Sequence, residues 1–142
     1  MCSYTCLVDV DAAYKHLRHI LCNSSWPNLF AVGERGRERK MFETDVNFGS
    51  TSAIAEMLAQ SHARSIPLLP ALPTALPDGS VKGLRARGGV AVDIEWANGQ
   101  MKTATIKSIN GSPCKLKYGK VLIEFETVSG QEYRIDSLLK RI

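Results

Sequence analysis

The sequence predicts an α+β chain: a helical first part followed by a small antiparallel, sandwich-like β domain. Three observations carry this. Apolar residues recur at helical spacing in 9–22 and again in 50–62. Four of the six prolines fall within 66–80, a density that neither a long helix nor a central strand tolerates. From Val90 onward apolar residues alternate with polar or small ones, and the alternation is broken by Asn98-Gly99, the strongest short hairpin signal.

Each element follows from its residues. In 9–22, Ala13, Leu17, Ile20 and Leu21 form one apolar face, and Asp9 or Asp11 suits the N-cap and the positive end of the helix dipole. Residues 23–49 read as irregular: Trp26-Pro27 stops the helix, Asn28-Leu29-Phe30 is a short apolar anchor, and 34–40 (ERGRERK) is a charged, solvated loop. A second helix over 50–62 takes Ser50 or Thr51 as N-cap and buries Ile54, Met57, Leu58 and, more weakly, Ala55. Its Gly49-Ser50-Thr51 entry offers free backbone N–H groups to an anion or a sugar hydroxyl, with capping as the plainer use.

The proline-rich stretch 66–80 is too apolar for a free linker. It is expected to run extended across a junction of two layers, with Leu68, Leu69, Leu72 and Leu76 packed. Strands are expected at 90–97, 100–108, about 120–127 and 131–136, with Val92, Ile94, Trp96, Ala104, Ile106, Ile123, Phe125, Tyr133 and Ile135 among the alternating positions. The total is a module of about four to six strands, a sandwich in outline. Two short helices cannot bury their faces on each other across a long intervening loop, so they read as the end of a larger helical domain.

Bulk properties exclude several classes. The chain has 142 residues, 44% hydrophobic and 23% charged, with mean hydropathy −0.10, which are globular values and exclude whole-chain disorder. No apolar run approaches the roughly 20 residues that cross a bilayer, and no leader pattern is visible at Met1, so no membrane partner is expected and the compartment stays open. The net charge of +4 comes wholly from residues 67–142, where it is spread over several segments; nucleic acid is therefore not an expected partner. Cys2 and Cys6 with His16 and His19 can be drawn as a zinc site only loosely, and free thiols and a helix-surface histidine pair are the favoured reading. No cofactor is expected. Asn23-Ser24-Ser25 and Asn110-Gly111-Ser112 fit the glycosylation pattern.

Three long stretches then match one family in order. They are Asn28-Leu29-Phe30 with Phe42-Glu43-Thr44-Asp45-Val46-Asn47-Phe48-Gly49 and 53–62 (AIAEMLAQSH); Leu68-Leu69-Pro70-Ala71-Leu72-Pro73; and 77–89 (PDGSVKGLRARGG) running on to Val92-Asp93-Ile94-Glu95-Trp96. In these residues the chain resembles the family-95 glycoside hydrolases, α-L-fucosidases and related L-galactosidases, over roughly residues 9–108. The resemblance implies that 1–66 is the C-terminal tail of an (α/α)6-barrel catalytic domain and 67–142 the C-terminal β domain. It implies inverting hydrolysis of α-L-fucosides, α-1,2-linked, in oligosaccharides. Inversion needs an acid on the leaving oxygen and a base-side group for water on the opposite face. In the family the acid is an upstream glutamate that this chain lacks.

By match, Asp45 is the water-activating, base-side aspartate, and Asn47 orients the loop or touches the sugar. Glu43 replaces the family's glutamine and Ser50 a glycine. Val46 stands where the family has glycine, a costly exchange if that position needs positive φ. Arg85 and Arg87 are read as structural pairing partners before substrate contacts, Trp96 as β-core, Trp26 as a possible sugar platform, and Gly88-Gly89 as a tight turn. The chain is thus expected to be a fragment or truncated homologue of an α-L-fucosidase, inactive alone. The rival expectation is a carbohydrate-binding or complementing module that pairs with a separately encoded N-terminal half, or self-associates, through exposed helix faces.

Overall fold

The computed structural model describes residues 9–34 and 40–142. The chain divides into two compact units, Met1–Glu56 and Met57–Ile142. The architecture is α+β, with two helices and nine strands among the described residues.

The first unit opens with helix α1, Val10–Asn23, in which Ala13 and Leu17 are the buried residues. Asp9 is its N-cap, and its side chain accepts the Ala12 N–H at 3.0 Å. At the other end the Ser24 N–H and the Ser25 hydroxyl both donate to the Ile20 carbonyl. The chain then reverses tightly. Leu29 N–H donates to Trp26 O, Trp26 N–H donates to Phe30 O, and Asn28 Oδ1 accepts from the Phe30 N–H. Leu29 takes φ +64°, an uncommon conformation for a large side chain.

The stretch expected to be irregular contains more structure than its composition announces. Strands β1, Val32–Glu34, and β2, Lys40–Phe42, pair antiparallel with Val32 opposite Phe42. The tip of the charged loop, 35–39, lies outside the described residues.

The second helix, α2, runs Thr44–Leu58 instead of 50–62. Three expectations fall with that shift. Gly49, Ser50 and Thr51 lie inside the helix, so they neither cap it nor present free N–H groups to a ligand. The Ser50 and Thr51 hydroxyls instead donate back to Val46 O at 2.6 Å and Asn47 O at 3.0 Å. Val46 is helical with negative φ, so valine carries no left-handed strain there. The buried face also rotates: Ala53, Met57 and Leu58 are buried, whereas Ile54 is exposed.

The second unit is built from two sheets. Strands β3 (Ile66–Pro67), β7 (Cys114–Tyr118) and β8 (Val121–Phe125) form one; β4 (Gly79–Ala86), β5 (Val90–Ala97), β6 (Gln100–Ser108) and β9 (Glu132–Asp136) form the other. All pairings are antiparallel except the short parallel contact of β3 with β7. One core joins the sheets, with Val90, Val92, Ile94, Met101, Ala104, Ile106 and Ile135 from the larger meeting Ile66, Cys114 and Leu116 from the smaller. This is a small β-sandwich with seven strands, against the four to six expected; β3, β4 and β7 were not among the strands that the alternation predicted. Of the proline-rich leucines, Leu68 is buried and Leu69 and Leu72 pack on the core, but Leu76 is exposed.

Trp96 is a core residue, as its alternation suggested, and its indole N–H donates to Leu76 O at 3.0 Å. The Pro77-Asp78-Gly79 stretch grips the Asn98-Gly99 hairpin from outside: Asp78 Oδ1 accepts the Asn98 N–H at 2.9 Å and Pro77 O accepts the Gly99 N–H at 2.7 Å. The register of β4 on β5 shifts between Val81 and Leu84, and Gly83, at φ +74°, is pinned there by donating its N–H to Asp93 Oδ1 at 2.7 Å. The long motif from Pro77 to Trp96 is therefore largely scaffold.

Candidate functional site

Asp45 and Asn47 stand on one helix but are used differently. Asp45 lies in the first turn of α2 and is exposed. Among the described residues its carboxylate has no hydrogen-bond or ion-pair partner. The unpaired N–H groups of a helix's first turn favour a negative charge at that position. Asp45 is thus an ionisable group held by a rigid element and open to solvent, rather than the loop residue its neighbours Val46-Asn47-Phe48-Gly49 suggested.

Asn47 faces inward, onto the tight reversal before β1. Its Oδ1 accepts the Ala31 N–H at 2.6 Å and its Nδ2 donates to Leu29 O at 3.0 Å. One side-chain amide satisfies a donor on Ala31 and an acceptor on Leu29, two alternate residues of the reversal. Both polar atoms of its amide are thus engaged by the backbone of the reversal. Glu43 extends the same join, with its N–H donated to Ala31 O at 3.0 Å.

The reversal that Asn47 holds presents apolar side chains. Leu29 is 66% exposed and Phe48 71% exposed, and Phe30 and Phe42 are also exposed while stacking with ring centroids 4.8 Å apart. Trp26 is exposed beside them in sequence. These residues and Asp45 belong to the first unit, and all but Trp26 fall in the first stretch of the motif pattern.

The remaining sequence candidates resolve as follows. His19 Nδ1 contacts Asn23 Nδ2 at 3.3 Å on the surface of α1. Cys2 and Cys6 lie outside the described residues, and no cluster of metal-ligating side chains occurs among the described residues. Gly88 and Gly89 adopt φ +91° and +70°, as a tight turn demands, and a Cβ on Gly89 would meet the Asn110 side chain. Arg85 and Arg87 are exposed, and neither has a hydrogen-bond or ion-pair partner among the described residues. No described helix is long and apolar enough to cross a membrane.

Sequence comparison finds that the β unit is similar to the C-terminal domains of glycoside hydrolases. Residues 60–122 match the model of the glycoside hydrolase family 95 C-terminal domain. The chain is 39% identical over 102 residues to α-L-fucosidase 2 of Arabidopsis thaliana, a match covering 71% of this chain and 12% of that protein. It is 42% identical over 65 residues to a probable α-fucosidase A of Aspergillus oryzae, covering 39% of this chain and 9% of the relative. The chain therefore spans about one eighth of the length of the Arabidopsis relative.

Proposed function

We propose that this chain is a fragment or truncated homologue of an inverting α-L-fucosidase-type glycoside hydrolase, acting on α-L-fucosides, α-1,2-linked, in oligosaccharides, and that it is inactive by itself. In this reading residues 1–66 are the tail of a helical barrel and 67–142 its C-terminal β domain. Asp45 is the base-side carboxylate that orients and deprotonates the attacking water. Asn47 holds the Asn28-Leu29-Phe30 reversal in register with it. The observation that carries the reading is the pairing of family-95 similarity with an exposed, unpartnered carboxylate on the first turn of a rigid helix.

The chemistry explains the inactivity. Inversion requires two carboxyl groups roughly 6.5–9.5 Å apart, one protonating the leaving oxygen and one serving the water. The resemblance assigns only the second to this chain. Purified chain incubated with 2′-fucosyllactose is expected to release no fucose, and release with inversion of the anomeric centre would overturn the reading.

A second reading is favoured by one observation, the exposed Leu29, Phe30, Phe42 and Phe48 of the first unit. Exposed apolar groups on this scale mark a partner surface. The chain then complements a separately produced N-terminal half that supplies the acid. A monodisperse, monomeric chain that binds no such half would remove this reading.

A further inference from the structure

The second unit carries a cleft of about 420 Å³ that the hydrolase chemistry does not use. It is lined by Ser61 and residues 63–66, by the turn between β4 and β5, and by the open end of the β7–β8 hairpin. Three cations face it, Arg64, Arg87 and Lys115, against a single carboxylate, Glu124. Lys115 is taken up by Glu124 at 3.1 Å. Arg64 and Arg87 have no hydrogen-bond or ion-pair partner among the described residues, so two guanidinium groups share one cleft without a counter-ion.

Like charges repel, and a fold with no use for them would separate or neutralise them. Here separate elements bring them together. The two glycines at positive φ, Gly88 and Gly89, turn the chain directly after Arg87, and the space beyond Gly88 is open. Ser61 and Ser65 add hydroxyls to the same lining, and Ile66 and Val90 give it an apolar floor. A guanidinium is a planar fork of donors matched to a carboxylate or sulfate. Hydroxyls beside an apolar floor suit the alternating polar edge and carbon face of a sugar ring. The volume lies in the range of small-molecule sites.

We propose that this cleft is a binding site for an acidic sugar unit, one bearing a carboxylate (a uronic acid) or a sulfate ester, with Arg64 and Arg87 as the anion ligands. The anion part stands on the lining residues alone. The sugar part rests on the family-95 reading above and extends it: the β unit holds an anionic segment of a glycan.

The test is titration calorimetry of the full chain with digalacturonate, with galactose 6-sulfate, with neutral galactobiose and with sodium sulfate. The expected result is saturable binding of one or both acidic sugars, tighter than sulfate, with none of galactobiose. The affinity should fall as salt is raised. R64Q and R87Q should each weaken it by about tenfold or more, and R87K should rescue only part, because lysine keeps the charge and loses the fork. Both arginines are exposed, so thermal unfolding of these variants should match the parent and confirm folding. Comparison of the two acidic sugars separates carboxylate from sulfate. Sulfate bound as tightly as either sugar, galactobiose bound equally well, or no binding at all would overturn the proposal. The readout is binding, so it is distinguishable from fucose release: an unexpected result in that assay leaves the anion part intact, and failure of binding leaves the hydrolase reading untouched.

Discussion

Asn47 Oδ1 accepts the Ala31 N–H at 2.6 Å, while its Nδ2 donates to Leu29 O at 3.0 Å. The motif asparagine two residues after Asp45 is therefore a clamp. It holds a reversal that includes Leu29 in a left-handed conformation.

Removal of the clamp should act locally. Asn47→Ala is expected to cost about 1–3 kcal/mol, because two backbone groups lose their partner. Hydrogen exchange checks it: the Ala31 amide should lose protection, whereas Ile94 and Ile106 in the β core should not change. Undiminished protection at Ala31 would show that the side-chain bond is not what holds it.

Gly79 is needed because Trp96 occupies its side-chain space. A Cβ there would clash with the indole, which is buried and tied to Leu76 O. Gly79→Ala should destabilise the β unit by about 1–3 kcal/mol through overpacking. Denaturant unfolding followed by the fluorescence of Trp96, in a Trp26→Phe background, reads this directly, and a stability equal to the parent would contradict it.

A buried chain of hydroxyls joins the two sheets. Thr127 donates its one proton to Ser112 O at 2.6 Å, so the 2.7 Å contact with Ser108 must be donated by Ser108, which in turn accepts the Gly111 N–H at 3.0 Å. Thr127→Val keeps the shape but strands the Ser108 proton and the Ser112 carbonyl. The expected loss is about 1–3 kcal/mol in denaturant melts. Ser108→Ala combined with Thr127→Val should recover none of it, because loss of the Ser108 oxygen removes its stranded proton but leaves the Gly111 N–H without an acceptor.

Cys114 gives a pH dependence with a definite sign. It is 1% exposed on β7, and burial pushes its thiol from 9.0 up to about 11. The folded state thus holds the proton more tightly than the unfolded state. The stability this represents is fully present below about pH 9 and is lost as pH rises through about 11. The difference in unfolding free energy between the parent and Cys114→Ala should therefore shrink between those values. A constant difference would refute a buried neutral thiol.

The sequence announces some of these elements and conceals others for identifiable reasons. Asp9 and the spacing of Ala13 and Leu17 reveal α1 fully. Asn98-Gly99 and the alternation around it reveal β5 and β6. Strand β4 is hidden because Gly79 and Gly83 look like punctuation, and the bulge at Gly83 breaks the period-two pattern. Helix α2 begins six residues early because Asn47, Gly49 and Ser50 are poor helix formers whose preference is overridden. The bonds from Asn47 to Leu29 and Ala31 are tertiary, and no local propensity encodes them. Asp45 was found through the motif around it; its lack of a partner became visible only with the fold. The Arg64–Arg87 cleft left no sequence signal, since its two cations lie 23 positions apart on different elements.

The central claim is that Asp45 serves the water in a reaction whose other arm lies outside this chain. The direct measurement is fucose release from 2′-fucosyllactose, followed by anomeric NMR, for the chain mixed with the N-terminal part of a family-95 enzyme that supplies the acid. The account predicts β-L-fucose from the mixture, nothing from the chain alone, and a fall of roughly 10²–10⁴-fold with Asp45→Asn. An Asp45→Asn chain that supports the parent rate, or turnover by the chain alone, would contradict it.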